Sequence, residues 1–410
     1  MNLLILTQYF WPENFKINDL VSELVQRGHQ VTVLTAKPNY PDGFVFKDFV
    51  DNPEKFSTYQ GAKVIRVPLV TRGKGGWRLI LNYFSFAGSA TAIGLWKLRD
   101  ESFHAILSFG PSPITVALPA IAIRKQKRIP LFFWVQDLWP DTLQALGVVR
   151  NEHILNIIGK LVAFVYNRCD LILAQSHSFI PQIRRYTQKT TRVQYYPNWS
   201  EKLPDLEYVT AAPEVIADNN KFNIVFAGNI GEAQDFPAIL TAAEYLKHND
   251  SIRWLIIGSG RQAGWVASEI IKRGLEKRVV MLGRHPPERM PSFFKHADAL
   301  LVSLRDTPIF SMTIPGKVQT YLAMGIPIIA MLNGEGADII EKSQAGLTCP
   351  AGNSQQLAEV VLNLFHMSLD ERQRMGDNGK ILNETIFNRE NLISRLEEWL
   401  SNTKLNERNV

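Results

Sequence analysis

Short apolar runs alternate with helix-patterned stretches twice along this chain, and that rhythm limits its possible folds more than any single motif does. In the first half the apolar runs fall at Leu3–Thr7, Val31–Thr35, Lys63–Val67, Ala105–Ser108, Leu131–Val135 and Leu171–Ala174. Runs of four to six residues have the length of strands rather than helices. Strands without a polar alternation are buried on both faces, as in a parallel sheet covered by its crossover helices. Between the first two runs, Asn18–Arg27 has helical spacing and Gly28 ends it.

The rhythm pauses at residues 201–220, which are rich in Pro, Asp, Glu, Ala and Asn, and resumes with Asn223–Ala227, Trp254–Ile257, Val279–Leu282, Ala299–Ser303 and Ala345–Cys349. A chain of 410 residues exceeds one ordinary core. The expected class is α/β, with two Rossmann-like, doubly wound parallel-sheet domains at 1–200 and 221–388 and a connector at 201–220. A last helix in 389–410 either packs with the second domain or crosses back to the first. Ligands of such sheets bind beyond the carboxyl ends of the strands, so the loops there carry the functional candidates.

The two cysteines, Cys169 and Cys349, lie far apart and outside any metal-spaced cluster, which fits a reducing compartment and excludes a disulfide framework. The first strand begins at Asn2 with no basic leader, so the expected location is cytoplasmic. Charge is uneven. Residues 61–200 hold 18 Lys and Arg against 6 Asp and Glu, so this stretch carries +12 in a chain whose net charge is +6. No nucleic-acid module accompanies it. An ordinary solvated surface is one reading; an anionic membrane surface, the inner face of the cytoplasmic membrane, is the other. The second gains from residues 79–96, an uncharged helical run framed by Trp77-Arg78 and Trp96-Lys97, and preceded by Arg72 and Lys74. Polar interruptions at Asn82, Ser85, Ser89 and Thr91 make it a peripheral contact rather than a span.

Residues 315–330 carry the most chemistry. Pro315-Gly316-Lys317 opens a helix, Gly325 closes it, and a buried strand follows Pro327. A helix N-terminus offers unpaired N–H groups and about half a positive charge, and Lys317 adds a mobile cation there. In order along the chain stand Arg27-Gly28-His29-Gln-Val31, Phe226-Ala-Gly228-Asn229-Ile-Gly231, Leu282-Gly283-Arg284, Pro315-Gly316-Lys317 and Asn333-Gly334-Glu335-Gly336. This ordered set resembles the GT-B nucleotide-sugar glycosyltransferases of family 4 over essentially the whole chain. Three further segments, Gln8-Tyr9-Phe10-Trp11-Pro12-Glu13, Lys37-Pro38-Asn39-Tyr40-Pro41-Asp42-Gly43 and Gln136-Asp137-Leu138-Trp139-Pro140-Asp141, are similar to the L-fucosamine transferase branch of bacterial O-antigen clusters.

The resemblance implies a retaining, metal-independent transfer of an N-acetyl-L-fucosamine-type sugar from a UDP-sugar to a lipid-pyrophosphate-linked saccharide, with no cofactor and no nucleic-acid partner. It also implies a donor site at Gly228, Asn229, Gly260, Arg261, Arg284, Pro315, Gly316, Lys317, Thr320 and Glu335. The chain departs from the family in three places. Asn229 and Gln234 stand where an Arg and a Lys usually clamp the diphosphate. Met312 and Thr320 replace a glutamate pair whose second member holds the ribose, leaving Glu335 as a substitute or as a plain surface carboxylate. Asn14-Phe15 replaces a glycine pair in the first domain. The family's first-domain His falls near Gln136, with Asp137 beside it at a strand's carboxyl end, where a buried carboxylate could orient or deprotonate an acceptor hydroxyl. Capping of the next turn is an equal reading for Asp137 and for Asp141, and His29 reads as structural.

Gly258-Ser-Gly260-Arg261-Gln-Ala-Gly264 follows a strand but spaces its last glycine one place late for a dinucleotide fingerprint, so a nicotinamide cofactor is discounted. No Asp-x-Asp or His/Cys cluster suggests a metal. Two alternatives stay open: a nucleotide-sugar 2-epimerase, and a non-catalytic sugar-nucleotide-binding subunit of a polysaccharide assembly complex.

Overall fold

The computed structural model describes residues 1–403 apart from 42, 73–75, 146 and 219. The chain forms two compact units, Met1–Pro197 joined by the chain from Glu390, and Asn198–Arg389. Each is built on one twisted sheet.

In the first unit the strands are β1 (Asn2–Leu6), β2 (Gln30–Ala36), β3 (Thr58–Tyr59), β4 (Ala62–Val67), β5 (Ala105–Gly110), β6 (Leu131–Val135), β7 (Leu171–Ala174) and β8 (Arg192–Tyr195). Their order is β3-β4-β2-β1-β5-β6-β7-β8, parallel throughout except for β3 against β4. The hairpin strand β3 and the edge strand β8 lie outside the sequence expectation, because β3 has only two residues and β8, Arg192-Val-Gln-Tyr195, buries only Val193 and so shows no apolar run. Helix α1 (Lys16–Gln26) follows β1, α2 (Gly76–Lys97) precedes β5, α3 (Ala117–Lys127) follows β5 and α4 (Glu152–Tyr166) precedes β7. Arg124 of α3 and Asp170, just before β7, form a buried bidentate pair with both bonds at 3.0 Å. The same carboxylate accepts from the Leu131 N–H, so one ion pair fixes α3 to the start of two strands.

Helix α2 is long and apolar enough to cross a membrane by length and composition. Its inner side is nevertheless part of this unit. Tyr83, Phe86, Ala87 and Ala90 are buried, α2 packs on α3, and the buried Asn82 accepts from Gln8 and donates to the Val70 carbonyl. Its other side exposes Trp77, Ile80, Leu81, Phe84 and Trp96.

The C-terminal helix Arg389–Asn402 completes the first unit. Arg27 binds Glu390 and Glu397, and His29 Nε2 lies 2.6 Å from the same Glu397. His29 is thus a docking residue, its other ring nitrogen 2.9 Å from the Met1 amine.

The second unit has strands β9 (Phe222–Ala227), β10 (Ile252–Ile257), β11 (Val279–Gly283), β12 (Ala299–Ser303), β13 (Ile328–Met331) and β14 (Gly346–Cys349), in the order β11-β10-β9-β12-β13-β14 and parallel throughout. Alternate residues feed two separate cores. Ile224, Phe226, Trp254, Ile256 and Leu301 face one helical layer. Val225, Ala227, Leu255, Ile257 and Val302 face the other. Helix α5 (Gly316–Met324) runs between β12 and β13, and α6 (Glu335–Ser343) follows β13.

Residues 201–220 are not a free connector. Ala212 and Val215 are buried in the second unit's core, the Ala212 N–H bonds the Ser292 carbonyl, and Arg253, Arg289 and Lys295 all reach back to this segment. Two small apolar residues three apart in a polar stretch suffice to pin it.

Candidate functional site

In the second unit the loops after β9, β10, β12 and β13 line the carboxyl edge of the sheet. The first two are pressed together through glycine. Gly258 has φ +144°, and a Cβ there would collide with the Gly228 carbonyl oxygen. A Cβ on Gly260 would strike Ile230 and the Asn229 amide. These glycines therefore serve loop-to-loop packing, which is what discounting a nicotinamide fingerprint leaves for them.

Lys317 sits in the first turn of α5, behind Pro315 and Gly316, and crosses to this loop pair. Its Nζ lies 3.6 Å from the centroid of the Phe226 ring and 3.1 Å from where a Cβ on Gly228 would stand. The amine is shut off from solvent and has no hydrogen-bond partner among the described residues. Desolvation pulls its pKa down to about 7. A buried amine at a helix N-terminus, with no counter-charge among the described residues, has the charge and the position to meet an anion. Substituting Gly228 would fill the space between that amine and the loop.

The remaining expected residues are arranged around this core. Asn229 Nδ2 donates to Gln234 Oε1 at 3.4 Å, and the Gly231 N–H donates to the same oxygen at 3.2 Å. The two positions where the family carries cations are therefore spent on holding the loop. Arg261 and Arg284 are exposed and form no ion pair among the described residues. Thr320 is half-buried one turn along α5, and Glu335 is half-buried at the start of α6. Arg284 follows β11 and Glu335 follows β13, so these two lie toward opposite ends of the loop row.

In the first unit, Asp137 follows β6 at the carboxyl edge. Burial pushes its carboxyl up to about 7, and it has no hydrogen bond or ion pair among the described residues. Gln136 is held by its backbone, which donates to Gly110 at 3.1 Å and accepts from the Gln175 amide at 2.7 Å. Asp141 instead begins a short helix and lies 3.9 Å from Arg185.

The carboxyl-edge loops of the first unit also carry aromatic residues that the sequence pattern does not assign to a site. Tyr9, Phe15 and Tyr40 form a triangle with ring centroids 5.3 Å apart on every side, Tyr9 and Phe15 being stacked at 12°. Tyr83 meets Trp139 edge to face at 6.0 Å and feels the charges of both Asp137 and Arg72. The Trp139 indole N–H is buried without a partner among the described residues. Glu13 ties these loops together, accepting from the N–H groups of Phe10 at 3.1 Å, Asn39 at 2.8 Å and Tyr40 at 2.7 Å. Of the membrane candidates, Trp77, Arg78 and Trp96 are exposed on α2, with Arg78 over the Trp77 ring. Lys74 lies outside the described residues. Arg72 belongs elsewhere: its guanidinium is 5.5 Å from the centroid of the Tyr40 ring.

Comparison with known proteins decides the class. Residues 15–199 match the glycosyl transferase 4-like domain model, and residues 211–382 match that of glycosyl transferases group 1. The protein is a GT-B glycosyltransferase. WcaI of Escherichia coli (strain K12), named as a colanic acid biosynthesis glycosyl transferase, is 23% identical over 340 residues, 79% of this glycosyltransferase and 82% of WcaI. HepE of Anabaena, solved in complex with UDP and glucose, shares the fold with a TM-score of 0.68 at 14% identity, over 98% of this chain and 99% of that one. WaaG, a glycosyltransferase involved in lipopolysaccharide biosynthesis, does so with a TM-score of 0.65 at 14% identity, over 98% and 100%.

Proposed function

We propose that this glycosyltransferase moves an N-acetyl-L-fucosamine-type sugar from a UDP-sugar to a lipid-pyrophosphate-linked saccharide, in the assembly of an O-antigen or another surface polysaccharide. One observation carries the donor half. The Lys317 amine is buried and unpaired among the described residues, above glycine loops and at a helix N-terminus, where a diphosphate would supply its missing counter-charge. HepE, which has the same fold, binds UDP. The sugar class rests on the three aromatic segments at 8–13, 37–43 and 136–141, and the polysaccharide context on WcaI and WaaG.

In the proposed reaction the acceptor hydroxyl oxygen bonds to the anomeric carbon on the face the diphosphate leaves. The carbon–oxygen bond to the diphosphate breaks, and the hydroxyl proton passes to the departing diphosphate oxygen, giving retention. The N-terminal dipole of α5 and Lys317 stabilise the charge that develops there, with Arg261 or Arg284 as helpers. The Asp137 carboxylate orients the acceptor hydroxyl. The enzyme works at the cytoplasmic face of an anionic membrane, touching it through the exposed Trp77, Ile80, Phe84 and Trp96 side of α2 and the basic stretch 61–200.

The test is incubation with a panel of UDP-sugars and a lipid-pyrophosphate-linked monosaccharide. Sugar transfer supports the reading. Donor epimerisation without acceptor would replace it with the epimerase, and UDP binding without turnover with a binding subunit.

A further inference from the structure

Strand β9 lies between β10 and β12, where the order of the doubly wound sheet reverses and a crevice opens for a ligand. Its two sides end differently. β10 follows β9 to its last residue, Ile257 against Ala227. Among the described residues β12 is paired with β9 only where Ala299 meets Ile224 and Leu300 meets Val225. The Gly228 N–H bonds the Ile257 carbonyl, so alternation turns the N–H and carbonyl of Ala227 toward the side that β12 has left. Ala227 is buried, and two unpaired backbone groups there would be costly.

One side chain supplies both bonds. The Tyr321 hydroxyl accepts from the Ala227 N–H at 3.1 Å and donates to the Ala227 carbonyl at 3.4 Å. The ring is buried, and Phe294 stands edge to face against it with centroids 5.7 Å apart. Burial pushes the pKa of the hydroxyl up, so it stays protonated and goes on donating.

Tyr321 and Lys317 are four residues apart on α5 and therefore share one face of it. The helix thus meets the end of β9 at two successive points: Tyr321 at Ala227, and Lys317 across Gly228 onto the Phe226 ring. Clearance at the second point is small. A Cβ on Gly228 would stand 3.1 Å from Lys317 Nζ and 3.3 Å from its Cε. The far end of α5 is held as tightly, since a Cβ on Gly376 would collide with the Gly325 carbonyl. We propose that Tyr321 is a positioning residue for the donor. By bonding both backbone groups of Ala227, its hydroxyl sets the Gly228 loop at a fixed distance from Lys317, so that amine and loop meet one diphosphate together. This rests on the donor reading above. Groups displaced by about an ångström can lose roughly a hundredfold, so such a contact matters although it touches no substrate.

The experiment is a double-mutant cycle on the intact protein, read by calorimetric titration with UDP. Tyr321→Phe keeps the ring, removes the hydroxyl and should weaken UDP about tenfold. In a Lys317→Met background the same change should alter the remaining affinity by less than about twofold. A residue that only stabilises the fold would lower the unfolding temperature and leave the UDP affinity of the folded protein alone, so thermal unfolding of each variant is measured alongside. Phe294→Leu keeps the hydroxyl but removes the ring it leans on. It should give a smaller loss, again only while Lys317 is present, and it carries the test if Tyr321→Phe does not fold. Unchanged UDP affinity in both variants, or an equal loss with and without Lys317, would overturn the proposal and leave Tyr321 as an anchor for the end of β9. Wild-type affinity in Lys317→Met alone would instead remove the donor reading, and the positioning role with it.

Discussion

Each unit holds a side chain, Lys317 in one and Asp137 in the other, whose charge burial opposes and which has no hydrogen bond or ion pair among the described residues, and they reach it by opposite means. In the second unit it is a cation, Lys317, enclosed by backbone: glycine loops, a helix N-terminus and the face of Phe226. In the first it is an anion, Asp137, in a loop of side chains: Trp139 stands two residues on, and Tyr83, edge to face with Trp139, feels the Asp137 charge. Burial drives the amine down and the carboxyl up, and both arrive at about 7. A glycine-walled site fits a ligand recognised by charge and backbone, such as a diphosphate. An aromatic-walled site fits one recognised by shape and hydroxyl pattern.

Experiments that remove each charged group test that contrast first. Asp137→Asn keeps the shape and should lower turnover by about 10²-fold, the scale of a lost orienting contact, with UDP affinity near wild type. A folded, fully active variant would return Asp137 to a packing role. Lys317→Ala should weaken UDP-sugar binding or turnover by one to two orders of magnitude, in line with about 1.5–3 kcal/mol for a charge-assisted bond. An unchanged value would hand the diphosphate to Arg261 or Arg284.

The opposite charges also predict opposite pH slopes. Lys317 has a depressed value when free, and a bound diphosphate stabilises its charged form. UDP-sugar affinity should therefore be highest below pH 7 and fall by up to about tenfold per unit above it, and Lys317→Met should flatten that slope. Asp137 has a raised value and must be ionised to accept from a hydroxyl, so kcat/KM for acceptor should climb with pH to a plateau above 7. The same slope sign for both quantities would break the comparison.

Smaller effects are expected at the surface. Neutralising Lys74 and Arg78 to Gln should weaken binding to phosphatidylglycerol vesicles by roughly 2 kcal/mol, about 1 kcal/mol for each lost cation, with salt mimicking the change. Trp77→Ala and Phe84→Ala should remove the salt-resistant remainder in co-sedimentation. Addition of EDTA should change nothing, since the proposed donor site meets its diphosphate with a lysine and a helix dipole. Loss of activity with rescue by Mg²⁺ would replace that account.

The glycine-walled site was far more legible in the sequence than the aromatic one. Lys317 and its helix lie within one continuous segment, and a Pro-Gly-Lys opening announces a helix N-terminus without knowledge of anything distant. Gly228 and Gly260 likewise mark tight backbone beside their own strands. Asp137 was visible as a carboxylate at a strand end, but its surroundings were not. Tyr9, Tyr40, Arg72, Tyr83 and Trp139 are spread over about 130 residues, and only the order of the parallel strands makes them neighbours. Arg72 carried a misleading signal, because its sequence neighbours are basic and its spatial neighbours are aromatic. Residues 201–220 read as a connector for a related reason: their anchors, Ala212 and Val215, bury too little surface to leave a pattern.

The clasp of Arg27 and His29 on Glu390 and Glu397 has a consequence for how the protein is made. The first unit emerges from the ribosome early but lacks one helix until the chain comes back at Glu390, almost 200 residues after it left at Pro197. At roughly 5–20 residues per second, that is a wait of about 10–40 seconds in which Arg27 and His29 lack their carboxylate partners. The second unit has its whole sequence available before the first is finished. The half of the enzyme begun first is thus closed by a helix made after the whole of the second unit.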